Sequence, residues 1–344
     1  MTRGARSDRT LVTGGAGFIG GELVASLLAD GGQVTVLDDL SSAAPDWPDR
    51  FITERGLTFV RGDARDPTCV DQVMPGHDRV VHLASSTDIA GGFNHPGRDF
   101  AAGIVATEVV CEAMARHAVR HLWFASSGVV YGRPQRVPTA EGDGPLFPES
   151  HYAAAKLAAE AIISGFAHLY DWRAIAFRFG NTVGGRSDHG VVHDFVVKLL
   201  RDPTGLEILG DGTQAKPYID VNDLVGAIRH AGETPTRPMS VFNVGPSGTV
   251  AVRRVALIVL GALGLDAADV EFRFTADAGS AGGGWPGDTP LVEFDTTALE
   301  ALGWRPTIAA EDAIHAAART IAARYRSTAA PLLTTGERRA MARD

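Results

Sequence analysis

A glycine-rich turn near the amino terminus is the feature that most constrains the fold of this chain. A short apolar run, Leu11 and Val12, is followed by glycines at Gly14, Gly17 and Gly20, and a helical apolar pattern comes next. Glycine permits a tight turn at the first position, close approach of a pyrophosphate at the second, and close helix–strand packing at the third. The N–H groups that open the helix would face those phosphates. The segment predicts a dinucleotide-binding turn, against the alternative of a plain strand–turn–helix.

The ends of the next two strand patterns carry acids. The pattern Gln33–Leu37 ends at Asp38, where a carboxylate would accept hydrogen bonds from an adenosine ribose. The same charge would repel a 2′-phosphate, so NAD is favoured over NADP. After the pattern Leu57–Val60, Asp63 would either reach the adenine amino group or be an ordinary solvated acid of a turn.

Strand and helix patterns alternate through the first half of the chain. Arg79–Ser85 is a continuous apolar run, which is typical of a buried parallel strand, and His82 within it is interpreted as a hydrogen-bonded core residue. Asp99–His117 predicts one long helix, and His121–Ala125 predicts another strand. Because the alternation repeats to Phe179, we predict an α/β fold with a doubly wound parallel sheet of the Rossmann type.

The rhythm changes in the second half. We expect an NAD-binding domain over 8–180 and a smaller substrate lobe over 181–326, with segments of that lobe returning to the first domain. A glycine-rich loop runs from Asp277 to Asp288, and a last amphipathic helix spans about Ala309 to Tyr325. The remainder, 327–344, is polar and lacks periodicity, which predicts a disordered tail.

Composition excludes several classes of function. A net charge of −9 and a pI near 5.7 argue against nucleic acid or an anionic membrane as a partner. Cys69 and Cys111 have neither disulfide nor metal-ligand spacing, so we expect no metal site. The amino terminus lacks the apolar core of a signal peptide, and the longest apolar run, Val255–Leu265, is too short to span a bilayer. The chain is expected to be cytoplasmic.

Three polar residues point to proton-transfer chemistry. Tyr152 and Lys156 lie four residues apart in a helical pattern and so share a face. An ammonium about 5 Å from a phenol favours phenolate by roughly 3 kcal/mol at an effective dielectric constant of about 20, or about two pK units. Ser127 follows a strand at the edge where parallel sheets bind ligands, and its hydroxyl would share the proton of a substrate with the tyrosine. The alternatives are a surface helix pair and an ordinary turn serine.

With these residues in order, the chain resembles the extended short-chain dehydrogenase/reductases, and among them the nucleotide-sugar epimerases and dehydratases. The resemblance runs from about Arg9 to about Tyr325 and is most similar to the UDP-glucose 4-epimerase branch. The matching motifs are Thr13–Gly20, Asp38–Ser41, Gly62–Asp63, His82–Ala84, Ser126–Ser127 with Tyr131–Gly132, Tyr152 with Lys156, Arg178–Asn181, Gly210–Gln214, Lys216–Tyr218, Asp223 and Pro286–Asp288.

The resemblance implies roles for residues at the matching positions. Ser127 and Tyr152 would handle the proton, and Lys156 would bind the ribose and lower the pKa of the phenol. Cofactor binding would involve Gly14, Gly17, Phe18, Ile19, Asp38, Asp39, Ser41, Asp63, Ala64, Leu83, Ala84, Ser85, Tyr152 and Lys156. Substrate binding would involve Ser127, Asn181, Arg186, Lys216, Tyr218 and Asp288, where Arg186 is a candidate replacement cation or else a solvated loop charge.

Departures from the family pattern narrow the reaction. Dehydratases place an Asp-Glu pair after the serine or threonine, whereas Gly128 and Val129 stand here and cannot donate a proton. The expected reaction is therefore inversion of carbon 4 of a UDP-glucose/UDP-galactose-type sugar through a 4-keto intermediate. The alternatives are a dehydratase or a 4-ketoreductase of the same family. A non-enzymatic NAD sensor would be expected to lack Tyr152 or Lys156, and both are present.

Other departures fall on the substrate site and on assembly. Gly103 replaces the Asn that is usual in the family, and Trp285 stands where 4-epimerases have an Arg on the diphosphate. Lys216 replaces a second Arg, so a single ammonium charge stands in place of a bidentate guanidinium. In this family the helices at 99–117 and 151–170 often pair across a two-fold axis. The resemblance thus implies a homodimer, although packing within one chain explains the same apolar positions equally well.

Overall fold

Strands and helices alternate along the chain, which is described by a computed structural model over residues 8–43, 47–51, 54–86, 91–234, 238–275, 283–328 and 332–337. In chain order the strands are β1 (Arg9–Thr13), β2 (Gln33–Asp38), β3 (Leu57–Arg61), β4 (Arg79–His82), β5 (His121–Ser127), β6 (Arg173–Phe179), β7 (Asn181–Val183), β8 (Gly205–Leu209), β9 (Ala215–Lys216), β10 (Tyr218–Asp220), β11 (Met239–Val244), β12 (Val250–Ala251) and β13 (Glu271–Thr275). The α-helices are α1 (Phe18–Ala29), α2 (Trp47–Phe51), α3 (Pro67–Val73), α4 (Pro96–Asp99), α5 (Ala106–Arg116), α6 (His151–Tyr170), α7 (Val191–Arg201), α8 (Val221–Gly232), α9 (Val252–Leu263), α10 (Thr297–Ala301) and α11 (Ala310–Ser327).

Seven strands form one parallel sheet in the order β11-β6-β5-β4-β1-β2-β3. The central strand β1 pairs on one side with β2 and on the other with β4, so that Val12 lies beside both Val36 and Val81. The chain therefore runs outward from β1 in one direction and then in the other, which opens a crevice at the carboxyl ends of the strands. The predicted doubly wound Rossmann sheet is confirmed.

Each central strand contributes to a hydrophobic core on both faces of the sheet, because successive side chains point to opposite sides. Leu11 and Leu122 lie in the cluster covered by α5 and α6, whereas Val12 and Trp123 lie in the cluster covered by α1 and α8. Burial on both faces explains why these strands appear in the sequence as continuous apolar runs.

A second cluster of helices packs beyond the sheet. Helices α7, α9 and α11 enclose a core of their own with the parallel pair β8 and β13. Two segments of the second half return to the first: α8 covers the sheet beside α1, and β11 extends the sheet next to β6. The boundaries predicted at residues 180 and 326 stay predictions.

Two predicted elements differ from the structure. The strand Arg79–Ser85 ends at His82, because residues 83–86 leave the sheet toward the crevice. The single helix predicted over Asp99–His117 is instead divided into three parts. Asp99 is the last residue of α4, a π-helical turn covers Phe100–Val105, and α5 follows. Gly103 in that turn packs against α6, where an added Cβ would lie 2.8 Å from the Cβ of Ala155.

The predicted disordered tail is wrong in part. Ser327 belongs to α11, and residues 332–337 are docked on the second lobe, where Thr335 is bound to Asp194. Residues 329–331 and 338–344 of that tail, and residues 277–282 of the predicted glycine-rich loop, lie outside the described residues. Within the described chain, no helix is long and apolar enough to cross a membrane, and no cluster of three His, Cys, Asp or Glu could hold a metal.

Candidate active site

The glycine turn opens the crevice at the carboxyl end of β1. Gly14 has a φ of +72°, and an added Cβ there would lie 2.6 Å from the backbone nitrogen of Ala84. A Cβ on Gly20 would lie 2.3 Å from the carbonyl oxygen of Gly14, so α1 could not approach the turn. At Gly17 an added Cβ would meet no protein atom closer than 3.5 Å and would project into the cavity that this glycine lines. The turn thus leaves room for a ligand against the backbone.

The start of α1 and the end of β2 suit a dinucleotide. No described side chain caps α1, so its first N–H groups are available to an anion. Asp38 accepts hydrogen bonds from the backbone nitrogens of Ala16 (2.9 Å) and Leu40 (2.8 Å), and its burial raises its pKa. Its carboxylate oxygens retain further lone pairs that can accept from a ribose. Next to it, Ser41 donates both its N–H and its hydroxyl to Asp39.

Asp63 is half-exposed and paired with a cation. Arg65 donates to both carboxylate oxygens of Asp63 at 2.6–2.9 Å, and this hydrogen bonding lowers the pKa of Asp63. Sequence reasoning missed Arg65, although its position two residues after the acid was the available signal. The pair lines the adenosine end of the cavity, so any contact with an adenine amino group would be made by a carboxylate already bound to a cation.

A cavity of about 500 Å³ follows the crevice. It is lined by eleven of the residues predicted to bind a cofactor, namely Gly14, Gly17, Phe18, Asp38, Asp39, Ser41, Asp63, Ala64, Leu83, Ala84 and Ser85. Ile19, Tyr152 and Lys156 are not among its lining residues. Unpredicted lining residues come from three further segments, and they include Arg98, Ala102, Ala106, Asp188, His189 and Thr335. A glycine turn, an uncapped helix and a carboxylate around an elongated cavity together fit NAD.

Ser127, Tyr152 and Lys156 converge at the carboxyl end of β5. Ser127 is the last residue of β5, whereas Tyr152 and Lys156 lie in the first turns of α6. The Tyr152 phenol lies close enough to Ser127 for the two hydroxyl groups to interact. The Nζ of Lys156 donates to the carbonyl oxygen of Ala125 at 2.7 Å and lies 5.7 Å from the centre of the Tyr152 ring. The three predicted residues therefore form one group.

The protonation states of this group differ from the expectation. Burial raises the pKa of Tyr152 to about 12, although the hydrogen bond with Ser127 opposes the change. Burial also lowers the pKa of Lys156 to about 7, with the charge of Glu160 opposing it. In the protein without ligands, desolvation of both groups outweighs their attraction. The prediction that Lys156, together with the positive charge of a nicotinamide, lowers the pKa of the phenol stays a prediction.

A buried ion pair, Glu160–Arg178, lies next to the group formed by Ser127, Tyr152 and Lys156. Glu160, one turn beyond Lys156, binds Arg178 of β6 through both oxygens at 3.0 and 2.7 Å. It also accepts a hydrogen bond from Ser126, the neighbour of Ser127, at 2.5 Å. These contacts tie α6 to β5 and β6, so they fix the distance between Tyr152 and Ser127.

His82 is structural, as interpreted from the sequence. The hydroxyl of Thr107 donates to the carbonyl oxygen of Gly103 at 2.6 Å, so it accepts from the His82 Nε2, which lies 3.1 Å away. The Nδ1 of His82 then accepts from Thr13 at 2.7 Å. Burial lowers the pKa of His82 to about 3, so the ring is neutral and links β1 to the π-helical turn.

The predicted substrate residues form a second group in the other lobe. The Nζ of Lys216 lies 3.1 Å from Oδ1 of Asp288 in a buried ion pair, and the backbone nitrogen of Gly284 donates to the other oxygen. Tyr218 is paired with Asn181 across β10 and β7, and burial raises its pKa. Burial lowers the pKa of Lys216, with Asp288 opposing the change. The sequence thus placed these four residues in one neighbourhood.

Arg186 does not join that group. Its Nη1 lies 3.5 Å from a carboxylate oxygen of Glu22 in α1, because the loop after β7 packs against the start of that helix. Whether Arg186 adds positive charge to the substrate site stays a prediction. At the position of the missing arginine, Trp285 has a buried indole N–H with no hydrogen-bond partner among the described residues.

Gly128 leaves no room for an acid beside Ser127. An added Cβ at Gly128 would lie 2.5 Å from Cζ of Phe294, and the ring of Phe294 is itself buried in a small cluster with Val130 and Tyr131. Any side chain at this position would have to displace that ring. The site consequently has a tyrosine and a serine for proton transfer and no adjacent carboxylic acid at this position.

Known proteins share both the sequence and the fold. Residues 10–245 match the NAD-dependent epimerase/dehydratase family. A UDP-glucose 4-epimerase of Mycolicibacterium smegmatis is 35% identical over 89% of this chain and 96% of its own length. A crystal structure of a UDP-galactose 4-epimerase superposes with a TM-score of 0.81 at 34% identity, over 92% of this chain and 99% of its own. A crystal structure of a Thermus thermophilus UDP-glucose 4-epimerase in complex with NAD superposes with a TM-score of 0.79 at 30% identity, over 91% of this chain and 98% of its own.

Proposed function

Because this chain belongs to the NAD-dependent epimerase/dehydratase family, we propose that it is an NAD-dependent 4-epimerase of UDP-activated sugars. The reaction inverts carbon 4 through a transient 4-keto intermediate. The proposed substrates are UDP-glucose and UDP-galactose, the sugars for which the similar proteins are named. Residues 8–180 would bind the cofactor, and residues 181–326 would bind the nucleotide sugar.

The observation that carries this proposal is the pair Ser127 and Tyr152 beside a glycine with no space for an acid. Oxidation at carbon 4 needs one proton acceptor for the hydroxyl, and the adjacent side chains of Tyr152 and Ser127 offer it. Elimination of a 6-hydroxyl would need a further proton donor, and the ring of Phe294 fills the volume that such a side chain would occupy at Gly128. The site therefore favours epimerisation over dehydration.

The chain's own residues divide the work of proton transfer. Tyr152 would take the proton of the 4-hydroxyl and return it to the inverted oxygen, while Ser127 holds that oxygen in place. Lys156 is fixed by Ala125 and would bind the cofactor ribose below the tyrosine. When bound, NAD would supply a hydride acceptor for the oxidation and, once reduced, a hydride donor for the return, so no cofactor would be consumed.

The buried pair Lys216–Asp288 would bind the nucleotide end of the substrate. A lysine with a lowered pKa and a single acidic partner gains from a second anion, because a diphosphate would stabilise its charged form. Asn181 and Tyr218 would form the wall beside it. Arg186, which lies 3.5 Å from Glu22, is not needed for this role.

The proposal is tested by incubating the purified protein with UDP-galactose, UDP-glucose, UDP-N-acetylglucosamine and UDP-arabinose. Chromatography of the sugars follows the epimer ratio, and absorbance at 340 nm follows net reduction of NAD. We expect interconversion of at least one 4-epimer pair without net NADH. Tyr152→Phe should lower the rate by roughly 10²- to 10⁴-fold while the bound NAD is retained.

Each other outcome points to a different reaction. A 4-keto-6-deoxy product would show a dehydratase, and consumption of cofactor equal to product would show a ketoreductase. Full activity of Tyr152→Phe would show that another base operates. No change in any epimer ratio would remove the 4-epimerase proposal.

We also propose that two chains assemble through α6 and the helical segment before it. Small residues are exposed on the outer side of α6, namely Ala154, Ala161 and Gly165. Leu169 and Tyr170 at the end of α6 are also exposed, as is Phe100 in the π-helical turn before α5. The location would be the cytoplasm, since Cys69 and Cys111 are both unpaired, as is usual in reducing compartments.

A further inference from the structure

The cofactor cavity has a wall that belongs to the second lobe. Besides the residues of the glycine turn and the sheet edge, Asp188, His189 and Thr335 line it. Thr335 is distant in sequence from every other lining residue and comes from the segment after α11. A segment predicted to be a disordered tail therefore reaches the site where the dinucleotide would bind.

The loop that carries Asp188 is held over the start of α1. An added Cβ at Gly184 would lie 3.0 Å from the ring of Phe18, the first residue of α1. At Gly185 it would lie 2.3 Å from Thr320 of α11, so the loop is wedged between the two helices. Because the first N–H groups of α1 are the expected pyrophosphate site, this loop would lie beside the diphosphate of a bound dinucleotide.

Residues 332–337, here called the C-terminal strap, are fastened to that loop and to α7. Asp194 in the first turn of α7 accepts hydrogen bonds from the N–H of Thr335 at 2.7 Å and from its hydroxyl at 2.5 Å. The same hydroxyl accepts from the backbone nitrogen of Gly190 at 3.2 Å. One threonine thus joins the strap to the loop and to the helix.

Two outer contacts hold the ends of the strap. Glu337 binds Arg201 at the end of α7 through both oxygens, at 2.9 and 2.8 Å, and also accepts from the N–H and hydroxyl of Thr334. Leu332 packs on the core of the second lobe. Asp194 is fixed in turn by the fully buried His193, whose other ring nitrogen lies 2.9 Å from the Tyr325 hydroxyl.

We propose that the C-terminal strap closes one wall of the cofactor cavity and slows the release of NAD and NADH. The inference rests on the proposed function. An epimerase reduces its cofactor in one half-reaction and reoxidises it in the other, so NADH lost between them would leave the enzyme inactive and free a ketone. A retaining wall therefore meets a need of this reaction, and the strap is positioned to provide it.

Cofactor release tests the strap without any sugar. The full chain, a chain ending at Thr328 and Thr335→Val are loaded with fluorescent NADH, then mixed with excess NAD, and the loss of bound fluorescence is timed. Thr328 follows the end of α11 and its N–H is bonded to Arg324, so the shortened chain keeps that helix. We expect release to be about tenfold faster from the shortened chain and several-fold faster from Thr335→Val.

Glu311→Ala is the control, because Glu311 binds Arg254 of α9 through two hydrogen bonds, as Glu337 binds Arg201, and the two glutamates are equally exposed. Its release rate should equal that of the full chain. Equal release rates in all four proteins, each folded by circular dichroism, would overturn the strap proposal and leave the proposed function intact. Failure of the full chain to hold NADH would overturn both.

Discussion

At the scale of single residues, the structure changes the account of the catalytic base. Lys156 lies below the Tyr152 ring as its spacing predicts, but its Nζ is directed at the carbonyl oxygen of Ala125. It is itself only 3% exposed, and that burial lowers its pKa to about 7. Loss of hydration shifts the pKa values of both Tyr152 and Lys156. The four-residue spacing along the helix does not reveal how deeply the two side chains are buried, so it could not predict this shift. The phenol is therefore kept neutral until a ligand adds positive charge nearby.

The first prediction at this scale concerns the Tyr152 phenol without cofactor. With a pKa of about 12, it should stay protonated from pH 6 to pH 10, because burial disfavours the phenolate. The measurement is the absorbance at 295 nm of the cofactor-free protein minus that of Tyr152→Phe, followed across this range. Phenolate absorbance in the difference spectrum below pH 9 would contradict the expected neutral phenol.

At the scale of elements, the catalytic geometry depends on how α6 is attached to the sheet. The pair Glu160–Arg178 joins the helix to β6, and the hydrogen bond from Ser126 joins it to β5. Arg178 also lies over the ring of Tyr131 at 4.8 Å, and the hydroxyl of that ring donates to Asn243 of β11. Three strands and one helix are thus connected through charges that water does not reach.

The prediction for this connection is a loss of stability in Glu160→Gln. The substitution keeps the shape but leaves the Arg178 guanidinium buried beside a neutral amide, which should lower the free energy of unfolding by about 3 kcal/mol. Urea unfolding measures it. The control is Glu112→Gln, whose partner Arg116 lies 3.4 Å away with both side chains exposed. That variant should change stability by less than about 0.5 kcal/mol. If both variants lose the same free energy of unfolding, the buried pair contributes no more to stability than the exposed one, which would contradict the prediction.

The sequence predicted best those strands and helices in which buried apolar residues recur at a regular spacing. β1 and β5 were predicted from apolar runs and α6 from its alanines, since local pattern and tertiary burial agree there. The π-helical turn Phe100–Val105 was not predicted, because it depends on the fit of Gly103 against Ala155 in another helix. Such a contact leaves no period in the sequence.

At the scale of the whole molecule, the limit of sequence reasoning is distance along the chain. Motifs placed the glycine turn, Asp38, Ser127 and Tyr152 because each lies at the end of an element that the pattern locates. The contact of Arg186 with Glu22 was not predicted, because Glu22 lies far away in sequence, in α1. The strap was read as disordered for the same reason: its anchors, Asp194 and Arg201, are over a hundred residues away from the residues they hold.

Assembly is also a property of the whole molecule, and the outer side of α6 provides the argument for it. Ala154, Ala161 and Gly165 are exposed there, at spacings that bring them onto one face. Small side chains let a second helix approach closely. Leu169, at the end of this face, is 82% exposed, and Phe100 in the neighbouring π-helical turn is 56% exposed. A second chain packed on this helix face would cover both apolar side chains.

The last prediction follows from that face. Light scattering after gel filtration should give twice the chain mass of 36.2 kDa for the unsubstituted protein. Ala161→Glu should give the mass of a single chain, because two carboxylates would face each other near the two-fold axis of a close helix contact. Ala316→Glu, also on an exposed helix position but on α11, should remain a dimer. If Ala161→Glu keeps the double mass, the contact lies elsewhere, and if the unsubstituted chain has the single mass, the helix face serves no dimer. Either variant's fold is checked by circular dichroism, so that loss of assembly is separated from loss of structure.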